Sequence, residues 1–155
     1  MILEAKNIYK SYRQAGNILT VLKGVNIKVD RGEILCVVGP SGAGKSTLLH
    51  ILGGLDDPDQ GEVFLNNENI YAGSDEKRAK IRNQKIGFIF QFYHLLPDFT
   101  AIENVMLPAI IDGAQKNIKD IEVKSLEVLT EIGLKDRVKH KPSQLSGGEQ
   151  QRVAI

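Results

Sequence analysis

The feature that most restricts this 155-residue chain is one loop, Gly39-Pro40-Ser41-Gly42-Ala43-Gly44-Lys45-Ser46-Thr47. It satisfies G-x-x-x-x-G-K-[ST]. The apolar run Ile34-Leu35-Cys36-Val37-Val38 precedes it, and Leu48, Leu49 and Leu52 follow at helical spacing. A buried strand leading into a helix N-terminus lets successive backbone N–H groups wrap an anion that the helix dipole also favours. Glycine is required there because a Cβ would hold the backbone away from phosphate oxygens. Lys45 then reaches the β and γ phosphates as a point charge, and the Ser46 hydroxyl binds Mg²⁺. The alternative is an ordinary Gly-rich turn. On average residue frequencies the four fixed letters arise by accident in roughly 0.5% of chains this long, so nucleotide binding is the expected role.

Composition narrows the partners. Lys and Arg number 20 against 19 Asp and Glu, a net charge of +1, which leaves no electrostatic footprint for nucleic acid or an acidic membrane. Hydrophobic residues at 42% and charged residues at 25% are ordinary globular values and exclude a disordered or disulfide-stapled chain. The single cysteine, Cys36, lies in the apolar run and reads as a small buried hydrophobe. The first residues lack the basic-then-apolar layout of a signal peptide. Apolar stretches such as 105–111 fall short of the ~20 residues needed to span a bilayer. A cytoplasmic protein that meets membranes through partners is expected.

Periodicity predicts strands over residues 2–9 and 21–29, joined by a hairpin loop over 14–17. Residues 34–38 read as a central strand covered on both faces, and 45–55 as a helix ended by Gly53-Gly54 and Pro58. A strand over 62–65 turns at Asn66-Asn67, a pair that tolerates positive φ. Ser74-Asp75-Glu76 opens a helix running to about residue 84. Its Lys77, Arg78, Lys80, Arg82 and Lys85 spread around more than one face, the pattern of a solvated helix. Residues 86–90 read as a buried strand. Beyond them Thr100-x-x-Glu103 is a capping box, and Ile118, Ile121, Val128, Leu129 and Ile132 form one core-facing stripe. This is an α/β chain carrying a helical part.

A second glycine motif, Leu145-Ser146-Gly147-Gly148-Glu149-Gln150, lies far downstream. Ser146-x-x-Glu149 is itself a capping box, so a well-capped helix start is the plain reading. Two backbone N–H groups beside a serine at a helix N-terminus also form a second anion site. The pair of motifs resembles the nucleotide-binding subunits of ABC transporters over the whole chain. The resemblance implies a P-loop NTPase core with an antiparallel β subdomain and a helical subdomain: residues 1–96, 97–146, and the signature with the start of its helix at 145–155. It implies ATP and Mg²⁺ as ligands and a head-to-tail homodimer. In that dimer, Leu145, Ser146, Gly147, Gly148, Glu149 and Gln150 of one subunit close over the γ-phosphate held by the other subunit's loop. Tyr12 matches the position whose ring stacks on adenine; otherwise it is a strand-end tyrosine. Gln91 matches the glutamine that contacts Mg²⁺ and the attacking water and senses a membrane-spanning partner subunit. The text around Gln91, with residues 48–56, is similar to the lipoprotein-releasing members, with macrolide-exporter and cell-division ATPases as near relatives. His94 reads as an exposed loop residue near a partner surface, and His50 and His140 show no ligand spacing.

One departure matters. The family supplies an acid for Mg²⁺ from an apolar strand ending in Asp-Glu, followed by a switch histidine, and residues 1–155 contain neither. The expectation is a C-terminally incomplete domain. It would not hydrolyse ATP by itself, and its apolar runs 34–38 and 86–90 would lack sheet neighbours. A non-hydrolysing nucleotide-binding remnant is the competing reading. A soluble P-loop kinase would leave the second motif without a role.

Overall fold

The computed structural model describes residues 1–14, 16–112 and 117–155. Two compact units form, Met1–Arg82 and Asn83–Ile155.

The first unit is built on β1 (Leu3–Gln14) and β2 (Asn17–Val29), both longer than the periodicity predicts. They pair antiparallel from Leu3↔Val29 to Gln14↔Asn17; of the expected hairpin loop, Ala15 lies outside the described residues. With β3 (Gln60–Leu65) and β4 (Glu68–Asn69) they make a sheet in the order β2-β1-β3-β4. The β3–β4 turn uses Asn66 and Asn67 at φ of 50° and 65°, as the sequence suggests.

An irregularity in β1 decides the face its later residues present. Asn7 sits at φ 50°, a value asparagine tolerates, and its amide donates to Asn26 Oδ1 at 3.0 Å. The register shifts there, as in a β-bulge, where one extra residue inverts the alternation. Ala5 is buried before the shift, and Ile8 and Lys10 are buried after it. Tyr12, two residues beyond Lys10, follows the same side of the strand.

Helix α1 (Lys45–Leu52) adds Leu48, Ile51 and Leu52 to the buried set of Ala5, Ile8, Leu22, Val63, Leu65 and Ile70. Its C-terminal end is secured from the next segment. Tyr71 Oη lies 2.5 Å from the Ile51 carbonyl and 2.7 Å from that of Asp56. Arg82 Nη1 donates to Gly54 O at 2.8 Å. The Ile51 carbonyl also accepts from the Gly54 amide at 3.0 Å, so Tyr71 and Arg82 reinforce a turn that already closes the helix end. Burial pushes the Tyr71 phenol well above its ordinary range, so it remains a donor. Helix α2 (Asp75–Lys85) buries only Ile81, and its Arg78 pairs with Asp57 and Asp75.

The second unit is helical. Helix α3 (Ala101–Ile111) starts at the expected capping box: Thr100 Oγ1 accepts from the Glu103 amide, and Glu103 Oε2 accepts from the Thr100 amide at 2.7 Å. Bonds from the Thr100 hydroxyl and amide hold the Glu103 carboxyl below its usual range. Helix α4 (Ile118–Glu131) and α5 (Gly147–Ala154) complete the unit, whose core is Ala101, Leu129, Leu134, Leu145 and Val153. The expected stripe on α4 needs correction. Ile118 is 64% and Val128 48% exposed, and the buried face is Ile121, Ser125 and Leu129. That is a strict four-residue spacing, and Ser125 takes an inward place that apolar scoring passes over. Residues 113–116 of the expected helical subdomain lie outside the described residues.

Two strands expected from apolar runs are absent. Residues 34–38 and 86–90 carry no ladder pairing, and Ile34, Val38 and Ile89 are 90%, 88% and 66% exposed. A strand is defined by neighbours that accept its N–H groups, and none of the described residues supplies them. Cys36 is correspondingly exposed rather than buried. The expectation that both runs lie uncovered matches their exposure.

Candidate nucleotide-binding site

The Gly-rich loop keeps its expected place directly before α1. Gly44 is the N-cap of that helix at φ 88°, with no side-chain cap and no acidic residue in the first turn. The opening N–H groups of α1 are therefore not claimed by a capping side chain, which suits an anion. Gly44 has a second reason to be glycine. A Cβ there would lie 2.7 Å from Val21 Cγ1 and 3.2 Å from Leu22 Cδ2, so the loop is pressed onto β2. Lys45 Nζ donates to Gly39 O at 2.9 Å and Pro40 O at 2.7 Å, holding its charge against the loop backbone. Ser46 is exposed one residue further on. Its hydroxyl is a hard oxygen donor of the kind Mg²⁺ accepts beside phosphate oxygens.

Tyr12 lies within β1, not at its end, and is 39% exposed. Its hydroxyl donates to Asp56 Oδ2 at 2.6 Å. Asp56 also binds Lys10, whose Nζ stands 2.7 Å from Oδ1 and donates to the Asp57 carbonyl at 2.5 Å. The Lys10 ammonium lies 5.2 Å from the centre of the Tyr12 ring, within cation–π range. Asp59 fastens the same stretch, accepting from the Ser11 amide at 2.6 Å and donating its own to Tyr9 O at 2.8 Å.

This three-residue network was not legible in the sequence, since Lys10 and Asp56 are 46 positions apart. A signal existed: Asp56, Asp57 and Asp59 follow the C-terminus of α1, where the helix dipole disfavours carboxylates. Acids in that place need cationic partners, here Lys10 and Arg78.

Burial by itself would raise the Asp56 pKa, but the bonds from Lys10 and Tyr12 override it and leave the carboxyl below its ordinary 3.8. Burial would lower Lys10, yet Asp56 raises it above 10.5. Burial, together with Asp56, raises Tyr12 above 10.0. Asp56 therefore contributes stability present above its unfolded value and lost as pH falls through the lowered one. Lys10 and Tyr12 contribute stability that is complete below their unfolded values and lost as pH rises through the raised ones. The stability gap between the wild type and Asp56→Asn is expected to be largest between about pH 4 and pH 10 and to shrink at both ends. Denaturant unfolding of both proteins across pH checks this, and a gap independent of pH contradicts it.

Gln91 and the second motif lie in the other unit. Gln91 and Gln150 line one cavity of about 450 Å³ with Phe92, Tyr93, His94, Leu95 and Pro142. Ser146 is the N-cap of α5, accepting from the Glu149 amide at 3.3 Å, while Glu149 Oε2 accepts from the Ser146 amide at 2.7 Å. The backbone bond from Ser146, then its hydroxyl and Arg137, hold the Glu149 carboxyl below its usual range. Arg137 Nε stands 3.3 Å from Glu149 Oε1. Leu145 is buried in the helical core, anchoring the motif, whereas Ser146, Gly147 and Gly148 are exposed at its surface.

Comparison with known proteins identifies the family. The chain is 50% identical over all 155 residues to the lipoprotein-releasing system ATP-binding protein LolD of Legionella pneumophila (strain Lens), spanning 67% of that protein. It is 52% identical to LolD of Porphyromonas gingivalis, spanning 68% of it. A dimeric ATP-binding cassette, MJ0796, solved in a post-hydrolysis state with ADP and Pi, superposes with a TM-score of 0.89 at 42% identity. That match covers 99% of this chain and 67% of the cassette. The fold is thus that of the ABC ATPase cassette, mixed α/β with an antiparallel sheet and helices. Residues 22–155, which include both glycine motifs, match the family model for the ABC transporter, and the chain belongs to that family.

Proposed function

We propose that this chain is the ATP-binding subunit of a lipoprotein-releasing ABC system. ATP binding and hydrolysis would drive membrane-spanning subunits of the LolC/LolE kind from the inner face of the cell membrane. The observation that carries this reading is identity of about half to LolD proteins along the entire chain. The near-neutral charge agrees with contact through protein partners rather than lipid or nucleic acid.

Within that reading Tyr12 stacks on adenine. Gly39, Pro40, Ser41, Gly42, Ala43, Gly44 and Thr47 wrap the phosphates with Lys45. Ser46 and Gln91 would hold Mg²⁺, which would supply positive charge to offset the charge that develops on the phosphates. Leu145 to Gln150 act in trans from a second copy; MJ0796, at 42–44% identity, is described as dimeric in the solved structures. Lys45 stands at the first position of α1 and Ser146 at the N-cap of α5, so a helix start sets where each is offered.

The test of the cellular role is depletion. Lowering the protein should leave outer-membrane lipoproteins in the inner membrane, and wild-type but not Lys45→Ala protein should restore their release. Normal lipoprotein sorting after depletion, with a defect in drug export or cell division instead, would favour the other family members.

A further inference from the structure

We infer that Asp56, supported by Lys10, is the positioning residue that sets the Tyr12 ring for a nucleotide base. The inference rests on the proposed stacking role of Tyr12. A tyrosine in a strand can rotate about χ1 and χ2, and a partly exposed one has little packing to choose among its rotamers. Tyr12 is fixed at its far end instead. Its hydroxyl donates to Asp56 Oδ2 at 2.6 Å, and Asp56 sits directly beyond α1, the helix whose N-terminus is the phosphate loop. The ring and the loop are thereby referred to one rigid element, so the spacing between base and phosphate sites is built in.

Lys10 completes the arrangement. It is 9% exposed, and its ammonium bonds Asp56 Oδ1 and the Asp57 carbonyl. With one Asp56 oxygen held by Lys10, the other is left for Tyr12. The ammonium also stands over the Tyr12 ring at 5.2 Å. That side is occupied, which leaves the opposite face for a flat heteroaromatic ligand. The bulge at Asn7 is what brings Ile8, Lys10 and Tyr12 into one phase, so the clasp follows from the strand's own irregularity. Preorganising a ring lowers the ordering cost of binding, and that gain applies only to ligands carrying a base.

The experiment compares the affinity of the intact subunit for Mg-ATP and for Mg-tripolyphosphate, which has the phosphates and no base. Asp56→Asn and Tyr12→Phe are each expected to weaken ATP about 3- to 10-fold, less than the full worth of a charge-assisted hydrogen bond because this one orders the ring and does not itself touch the ligand. Tripolyphosphate affinity should stay unchanged, and the double variant should lose no more than the larger single loss, since Tyr12→Phe removes the donor and Asp56→Asn the carboxylate charge of one and the same bond. Tyr12→Phe keeps Asp56 on Lys10 and so keeps the test free of any folding defect in Asp56→Asn. Unchanged ATP affinity in Tyr12→Phe, or an equal loss for tripolyphosphate, overturns the positioning role. Tyr12→Ala separates the two readings. If it leaves ATP affinity intact, the stacking role itself fails. If it weakens ATP while Tyr12→Phe and Asp56→Asn do not, only the positioning role fails.

Discussion

Alanine at Lys45 is expected to reduce ATP turnover by the intact subunit about 10²- to 10³-fold, the scale of losing one preorganised donor to transition-state charge, and to weaken nucleotide binding as well. The variant is clean because little else depends on the side chain. Its two bonds are to Gly39 and Pro40 carbonyls of the same loop. The helix it opens is held by buried Leu48, Ile51 and Leu52 and by the Tyr71 and Arg82 bonds at the far end. Alanine is also the best helix former. Thermal unfolding should therefore change little while calorimetric ATP binding falls sharply. Loss of both together would mean that Lys45 is structural.

Alanine at Ser146 is expected to act differently. The capping bond from the Glu149 amide is lost, costing about 0.5–2 kcal/mol at the start of α5, and the hydroxyl offered at the motif's surface goes with it. Binding of ATP to the monomer should be unaffected, because in the proposed arrangement the Gly39–Thr47 loop holds the phosphates in cis and Ser146 acts in trans. Nucleotide-driven dimerisation, measured by light scattering, should fall, with turnover down by about 10² from the missing donor. Equal loss of monomer binding in the Lys45 and Ser146 variants would contradict a site shared between subunits.

The parts of this fold that could be read in advance are those whose determinants are local. The Gly39–Thr47 loop, the Thr100 and Ser146 capping boxes and the Asn66-Asn67 turn each depend on a few adjacent residues, and each stands where the sequence puts it. Residues 34–38 and 86–90 mislead because an apolar, β-branched run states a preference, while a strand exists only where other chain segments accept its hydrogen bonds. Cys36 goes with them, exposed as its run is exposed. On α4 the period was right and the face was shifted, since Ser125 is buried and Val128 is not. Tyr12 could be named by its resemblance, but what fixes it could not. The Lys10–Asp56 pair closes a long loop, and the bulge that aims β1 depends on Asn26 in the neighbouring strand as well as on Asn7.

We propose that Lys45 of one subunit and Ser146 of another serve one nucleotide. It is tested most directly by mixing Lys45→Ala protein with Ser146→Arg protein and measuring nucleotide occluded per subunit. Each variant alone should occlude none. Random pairing makes half of the dimers mixed, and each mixed dimer holds one intact composite site of its two, so the mixture should recover about a quarter of wild-type occlusion. No recovery on mixing, with both variants individually folded, would place the whole site within a single subunit and contradict the account.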